Sequence, residues 1–103
     1  MNKIIIVEDD ENIREELKSL LCNSGYIAEY VMDYTEASKN ILNVKPDLVL
    51  LDVNLPGISG LTICDQIRKK SDIPIIFVTS NRTSMDELNC ILRGGDDYVS
   101  KPY

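Results

Sequence analysis

Three acidic residues, Glu8, Asp9 and Asp10, follow directly on the short apolar run Ile4 to Val7. A further carboxylate, Asp52, closes the run Leu48 to Leu51. A hydroxyl, Thr79, closes the run Ile75 to Val78, and an amine, Lys101, follows the short stretch Tyr98 to Ser100. Two carboxylates about 4 Å apart repel by roughly 4 kcal/mol at an effective dielectric near 20, so acids gathered together cost stability unless a cation sits among them. Oxygen donors without histidine or thiolate favour Mg²⁺. Such an ion beside an ammonium and a hydroxyl makes a phosphoryl site, in which Asp52 can attack phosphorus and become an aspartyl-phosphate. Each residue also has a purely local explanation: Asp52 as a turn or cap aspartate, Asp10 as a helix cap, Thr79 as a turn residue, Lys101 as surface charge. What separates the two readings is whether the chain brings these positions to one place.

The surrounding pattern predicts that it does. Leu48 to Leu51 is too short to span a membrane and suits a strand buried on both faces, and Leu55-Pro56-Gly57 then turns the chain. Lys3 to Val7 reads as a first strand. Ile13, Leu17, Leu20 and Leu21 recur at helical spacing after it, with Glu11, Glu15 and Glu16 enriching the first turns and Asn23-Ser24-Gly25 ending the helix. Ile27 to Met32 is a second strand, and Asp33-Tyr34-Thr35 caps a short helix, Thr35 to about Asn43, with Ala37, Ile41 and Leu42 facing in. Ser59-Gly60 opens a third helix carrying Leu61, Ile63, Cys64 and Ile67. The fourth strand is Ile75 to Val78. Ser84 caps a helix with Met85, Leu88, Ile91 and Leu92, Gly94-Gly95 stops it, and Tyr98 to Ser100 is a fifth strand. Strand and helix alternate throughout, which predicts an α/β domain with a parallel sheet and helices on both faces. Right-handed crossovers put every strand's carboxyl end on one edge, where the acids, Thr79 and Lys101 converge.

The totals narrow the chemistry further. A chain of 103 residues builds one small domain; with one Phe and no Trp, Ile, Leu and Val must fill its core. A net charge of -6 argues against nucleic-acid binding by this segment. The one basic run, Arg68-Lys69-Lys70, reads as a solvated helix end. The absence of histidine removes Ser-His-Asp and Cys-His catalysis and nearly all zinc sites. Cys22, Cys64 and Cys90 are odd in number, lack a CxxC spacing and fall in predicted helices, which suggests buried thiols in a reducing cytoplasm. The run Ile4 to Val7, cut short by acids, is neither a signal peptide nor a transmembrane segment.

Four motifs together carry a resemblance: Val7-Glu8-Asp9-Asp10, Leu51-Asp52-Val53-Asn54-Leu55-Pro56-Gly57, Val78-Thr79-Ser80, and Gly94-Gly95-Asp96-Asp97-Tyr98-Val99-Ser100-Lys101-Pro102-Tyr103. From end to end the chain resembles the receiver domain of bacterial two-component response regulators, in particular the group with winged-helix DNA-binding output domains. The resemblance implies a flavodoxin-like, doubly wound five-stranded parallel sheet in the order 2-1-3-4-5. It implies that Asp52 accepts a phosphoryl group from a sensor histidine kinase, and that Asp9, Asp52 and the backbone carbonyl of Asn54 hold Mg²⁺, with Glu8 acting through a metal-bound water. It makes Lys101 and Thr79 the partners of the phosphoryl group, Lys101-Pro102 a cis peptide, and Thr79 with Tyr98 the switch pair; alone, Tyr98 reads as an ordinary strand aromatic. Asn54 and Asn81 flank the path of the hydrolytic water, and Asp96 and Asp97 lie on the fourth-helix and fifth-strand face through which active homodimers of the family form. DNA binding belongs to an output domain beyond residues 1–103.

Two departures stand out. Gly94-Gly95 occupies a position that is usually Gly-Ala, and the chain stops at Tyr103, before the family's fifth helix. A domain of residues 1–103 truncated after the fifth strand is expected to leave an apolar strip open or covered by another chain, and puts dimerisation of this segment in doubt. Two other functions compete. A phosphatase of the haloacid-dehalogenase type needs a general-acid aspartate two residues after its nucleophile, where this sequence has Asn54. A degenerate receiver serving only as a binding module would lack competent residues at the chemical positions, and here all are filled.

Overall fold

The computed structural model describes residues 2–79 and 97–100, with Thr79 and the last strand described by backbone alone. Five parallel strands lie side by side in the order β2-β1-β3-β4-β5: β1 Lys3–Val7, β2 Ile27–Tyr30, β3 Leu48–Asp52, β4 Ile75–Thr79 and β5 Asp97–Ser100. Three helices are described, α1 Glu11–Asn23, α2 Ala37–Val44 and α3 Gly60–Arg68. This is the flavodoxin-like arrangement and strand order expected from the sequence.

Period-two alternation along the strands sorts the core into two clusters. Ile5, Val7, Val49, Leu51, Ile75 and Phe77 pack against Ala37 and Ile41 of α2 and Ile63, Cys64 and Ile67 of α3. On the other face Ile6 and Ala28 meet Leu17 of α1, with Ile13, Leu21, Tyr30 and Leu50 partly buried around them. Register fixes the functional edge. Val7 pairs with Leu51, Asp52 with Val78, and Thr79 with Ser100, so the chain after Val7 leaves the sheet beside Asp52.

Several elements differ from the sequence reading. β2 ends at Tyr30, two residues early, and Met32 is exposed. The Val31 N–H makes the last bond to Ile6 O at 3.1 Å, and Asp33 then accepts from the Thr35 N–H and hydroxyl at 3.2 and 2.8 Å. That cap tightens Tyr34–Glu36 into a 3₁₀ turn, so the second helix begins at Ala37. It ends at Lys45, which adopts the left-handed conformation (φ 55°) just before Pro46. β3 is fully buried on one face only. Leu48 and Leu50 are half-buried, and Leu50 packs against the cluster under α1. Leu20 (63% exposed) and Cys22 point to solvent, so the expectation of a buried Cys22 is wrong; Cys64 is buried as expected. Arg68 is more than a solvated helix end, donating to Ile73 O at 2.6 Å. β5 starts one residue early, at Asp97. The predicted fourth helix, with Cys90 and Gly94-Gly95, and the Lys101-Pro102 peptide lie outside the described residues.

Candidate functional site

Each side of the site is built by a strand that ends and a helix that must begin. After β1 the chain enters α1, and Asp10 caps it: its Oδ1 accepts from the N–H groups of Asn12 and Ile13 at 3.0 and 3.2 Å. The local explanation is therefore correct for Asp10, whose carboxylate is spent on the helix. Glu8 and Asp9 behave differently. The Glu8 side chain turns inward, is 2% exposed, and accepts from the Asp10 N–H through Oε2 at 3.2 Å. Asp9 stands at the solvent side of it.

After β3, Asp52 is held 3% exposed, with Oδ1 accepting from the Asn54 N–H at 3.0 Å. The chain then reverses through Pro56 and Gly57, whose φ of 82° suits glycine. Asn54 and Ser59 form an antiparallel bridge, Gly60 N–H donates to Val53 O at 2.8 Å, and the Ser59 hydroxyl caps α3 by accepting from the Leu61 N–H. Gly60 leaves no room for a side chain: a Cβ there would lie 1.9 Å from Asp52 O and 2.9 Å from Val53 Cα. The first turn of α3 thus rests directly on the backbone of Asp52.

These two turns bring carboxylate oxygens of Glu8, Asp9 and Asp52 within 4.8 Å of one another. Asp10 is not in the cluster. The spread is close to the about 4.2 Å that separates opposite oxygens around an ion bonded at about 2.1 Å. Three acids with all-oxygen donors, two of them buried, fit a hard divalent cation, and the mutual repulsion of the acids gives them a reason to hold one.

Behind the cluster lies a second layer. The Glu8 carbonyl accepts from Arg14 Nη1 at 3.3 Å and from the Tyr34 hydroxyl at 3.4 Å. Arg14 is buried, with its guanidinium 4.8 Å from the centre of the Tyr30 ring. Burial, and next the negative charge of Asp9, hold the Tyr34 phenol above its ordinary value of 10.0; the Arg14 charge opposes this.

The remaining expected positions are described in part. The backbone of Thr79 ends β4 one residue past the partner of Asp52, and Tyr98 and Asp97 sit in β5 opposite Phe77 and Ile76. The side chain of Asn54 is exposed. Asn81, Asp96 and Lys101 lie outside the described residues. The sequence reading missed Arg14, Tyr34 and the close approach at Gly60. Arg14 was findable, since positions 14, 17 and 21 share the buried stripe of α1. The contact of Gly60 with Asp52 was not, because it depends on where the loop returns.

A family model described as "Response regulator receiver domain" matches residues 4–103. The transcriptional regulatory protein YxdJ of Bacillus subtilis is 47% identical over 103 residues, covering 100% of this chain and 45% of the relative. The sensory transduction protein RegX3 of Mycobacterium tuberculosis is 40% identical with the same coverage. The chain therefore spans a little under half the length of these relatives. Among solved structures, the BeF3-activated N-terminal receiver domain of Klebsiella pneumoniae RstA superposes with a TM-score of 0.93 at 33% identity, covering 99% of this chain and 87% of that one. Vibrio cholerae chemotaxis protein CheY4 gives 0.92 at 25% identity, covering 100% and 88%. With a match over nearly its whole length and the acid cluster at the expected strand ends, the chain belongs to the response regulator receiver family.

Proposed function

We propose that the chain is a phosphorylation-operated signalling switch in which Asp52 is the phosphoacceptor. The observation that carries this reading is the convergence of Glu8, Asp9 and Asp52, with Asp52 buried at the carboxyl end of the central strand. A carboxylate oxygen of Asp52 forms the new bond to phosphorus as the bond to the donor breaks; with a histidine kinase as donor, the leaving group is its imidazole. Asp9 and Asp52, with the Asn54 carbonyl and with Glu8 through water, are the groups that hold Mg²⁺. An ion held there would supply positive charge beside the transferring phosphoryl oxygens. The Asn54 N–H, donating to Asp52 Oδ1, fixes the orientation of the carboxylate.

The rest of the assignment rests on the family and on strand register. Thr79 donates its hydroxyl to the phosphoryl group and Lys101 pairs with it. Drawing Thr79 inward opens space for the Tyr98 ring, a two-state element biased by one local charge. Asn54 and Asn81 flank the hydrolytic water and set the lifetime of the phosphorylated state. YxdJ is named as a transcriptional regulatory protein, and both YxdJ and RegX3 are about twice as long as this chain, which supports reading residues 1–103 as the receiver of a longer cytoplasmic, DNA-binding regulator. In that protein the fourth-helix and fifth-strand face, with Asp96 and Asp97, forms the active homodimer. Among the described residues no helix is long and apolar enough to cross a membrane.

Labelling with acetyl phosphate, with and without Mg²⁺, tests the proposal. One alkali-labile, hydroxylamine-sensitive adduct is expected on Asp52, lost in Asp52→Ala and on chelation. Equal labelling of Asp52→Ala would refute it.

A further inference from the structure

Arg14 is the only buried cation among the described residues, and the mechanism above gives it no task. Removing a guanidinium from water is costly unless it is paired or well hydrogen-bonded. Arg14 is incompletely satisfied: Nε has no hydrogen-bond partner, Nη1 donates to a backbone carbonyl, and the guanidinium lies over the Tyr30 ring. The carbonyl in question belongs to Glu8, and the Tyr34 hydroxyl donates to the same oxygen. Donors from α1 and from the 3₁₀ turn after β2 thus meet on the one peptide group from which both cluster acids of the first turn project.

Charge points the same way. Glu8, Asp9 and Asp52 carry three negative charges when ionised, and the buried Arg14 leaves this set at -3 + 1 = -2, the charge one divalent ion balances. A lysine at position 14 keeps that balance but not the planar fork that reaches the carbonyl while lying on a ring.

We infer that Arg14 and Tyr34 are positioning residues that clamp the Glu8 carbonyl, so that the β1–α1 turn presents Glu8 and Asp9 to a divalent ion shared with Asp52. The inference rests on the proposed metal-assisted function. Neither residue touches the ion; both act through the backbone of Glu8, as supporting hydrogen bonds orient metal ligands elsewhere.

Calorimetric titration of the intact chain with Mg²⁺ tests this, alongside urea unfolding of each variant without metal. Tyr34→Phe removes one donor with no change of charge and is expected to weaken Mg²⁺ binding about fivefold. Arg14→Lys is expected to weaken it about tenfold although the charge is retained. The double variant should lose less than the product of the two, because both donors serve one oxygen. Tyr34→Phe should stay fully folded in metal-free buffer well below its urea midpoint, where the titration is run, which separates loss of ligand placement from loss of fold. Parental affinity in both single variants would overturn the clamp, as would losses that vanish once the folded fraction is accounted for. If the parent itself bound no Mg²⁺, the functional reading would fall with it; a parent that binds and variants that bind equally would sink the clamp alone.

Discussion

Replacing Gly60 by alanine is the sharpest available probe of how the fold holds Asp52, the proposed phosphoacceptor. The added Cβ would stand 1.9 Å from the carbonyl oxygen of Asp52, where real contacts stay beyond 3.0 Å, so the backbones must separate by at least 1.1 Å (3.0 - 1.9). Its neighbours are backbone atoms of Asp52 and Val53, which have no rotamer to change. Overpacking of this kind costs about 1–3 kcal/mol, and the rigidity of the contact puts Gly60→Ala near the upper end, about 3 kcal/mol. Because the displaced residue is Asp52 itself, the chemistry should suffer too: a misplacement of about 1 Å can slow a reaction by roughly 100-fold. The assay pairs urea unfolding, followed by circular dichroism, with the rate of Mg²⁺-dependent acetyl phosphate labelling. Gly57→Ala is the control. Gly57 has a φ of 82° but nothing within 4 Å of its Cβ position, so alanine there should cost about 1 kcal/mol in backbone strain and leave labelling near the parental rate. Parental stability and labelling in Gly60→Ala would refute the argument that α3 sets the position of Asp52.

Two further outcomes follow from the same geometry. Asp10→Ala should lower stability by about 1 kcal/mol through loss of the α1 cap, yet keep Mg²⁺-dependent labelling, since Asp10 lies outside the acid cluster. Abolished labelling in a folded Asp10→Ala protein would put that carboxylate back in the site. Tyr34 supplies a pH dependence: its folded phenol is held above 10.0, so the folded protein keeps a proton that the unfolded chain releases first. The stability this contributes is fully present below pH 10 and is lost as pH rises through the folded value. In metal-free buffer the parent should lose stability more steeply than Tyr34→Phe at high pH; parallel declines would contradict the assignment.

Much of this protein was legible in its residue order, for reasons that are local. Apolar runs ending in Glu, Asp or Thr announced the strands, and Asp10, Asp33 and Ser59 act as caps because a short polar side chain can reach the next N–H groups without help from elsewhere. Alternation of strand and helix, with one crossover hand, was enough to put Glu8, Asp9 and Asp52 on one edge. Where the reading failed, distant neighbours decided. Whether Leu20, Cys22 and Leu50 are covered depends on what packs over α1 and its face of the sheet, which spacing along one helix or strand does not encode. That Tyr34 turns back to Glu8 and that Gly60 presses on Asp52 are contacts between segments brought together only when the strands pair into the sheet. Sequence chose the chemical groups and the edge they occupy; packing among remote segments set the distances between them, because a contact energy depends on both partners and only the folded chain supplies the second.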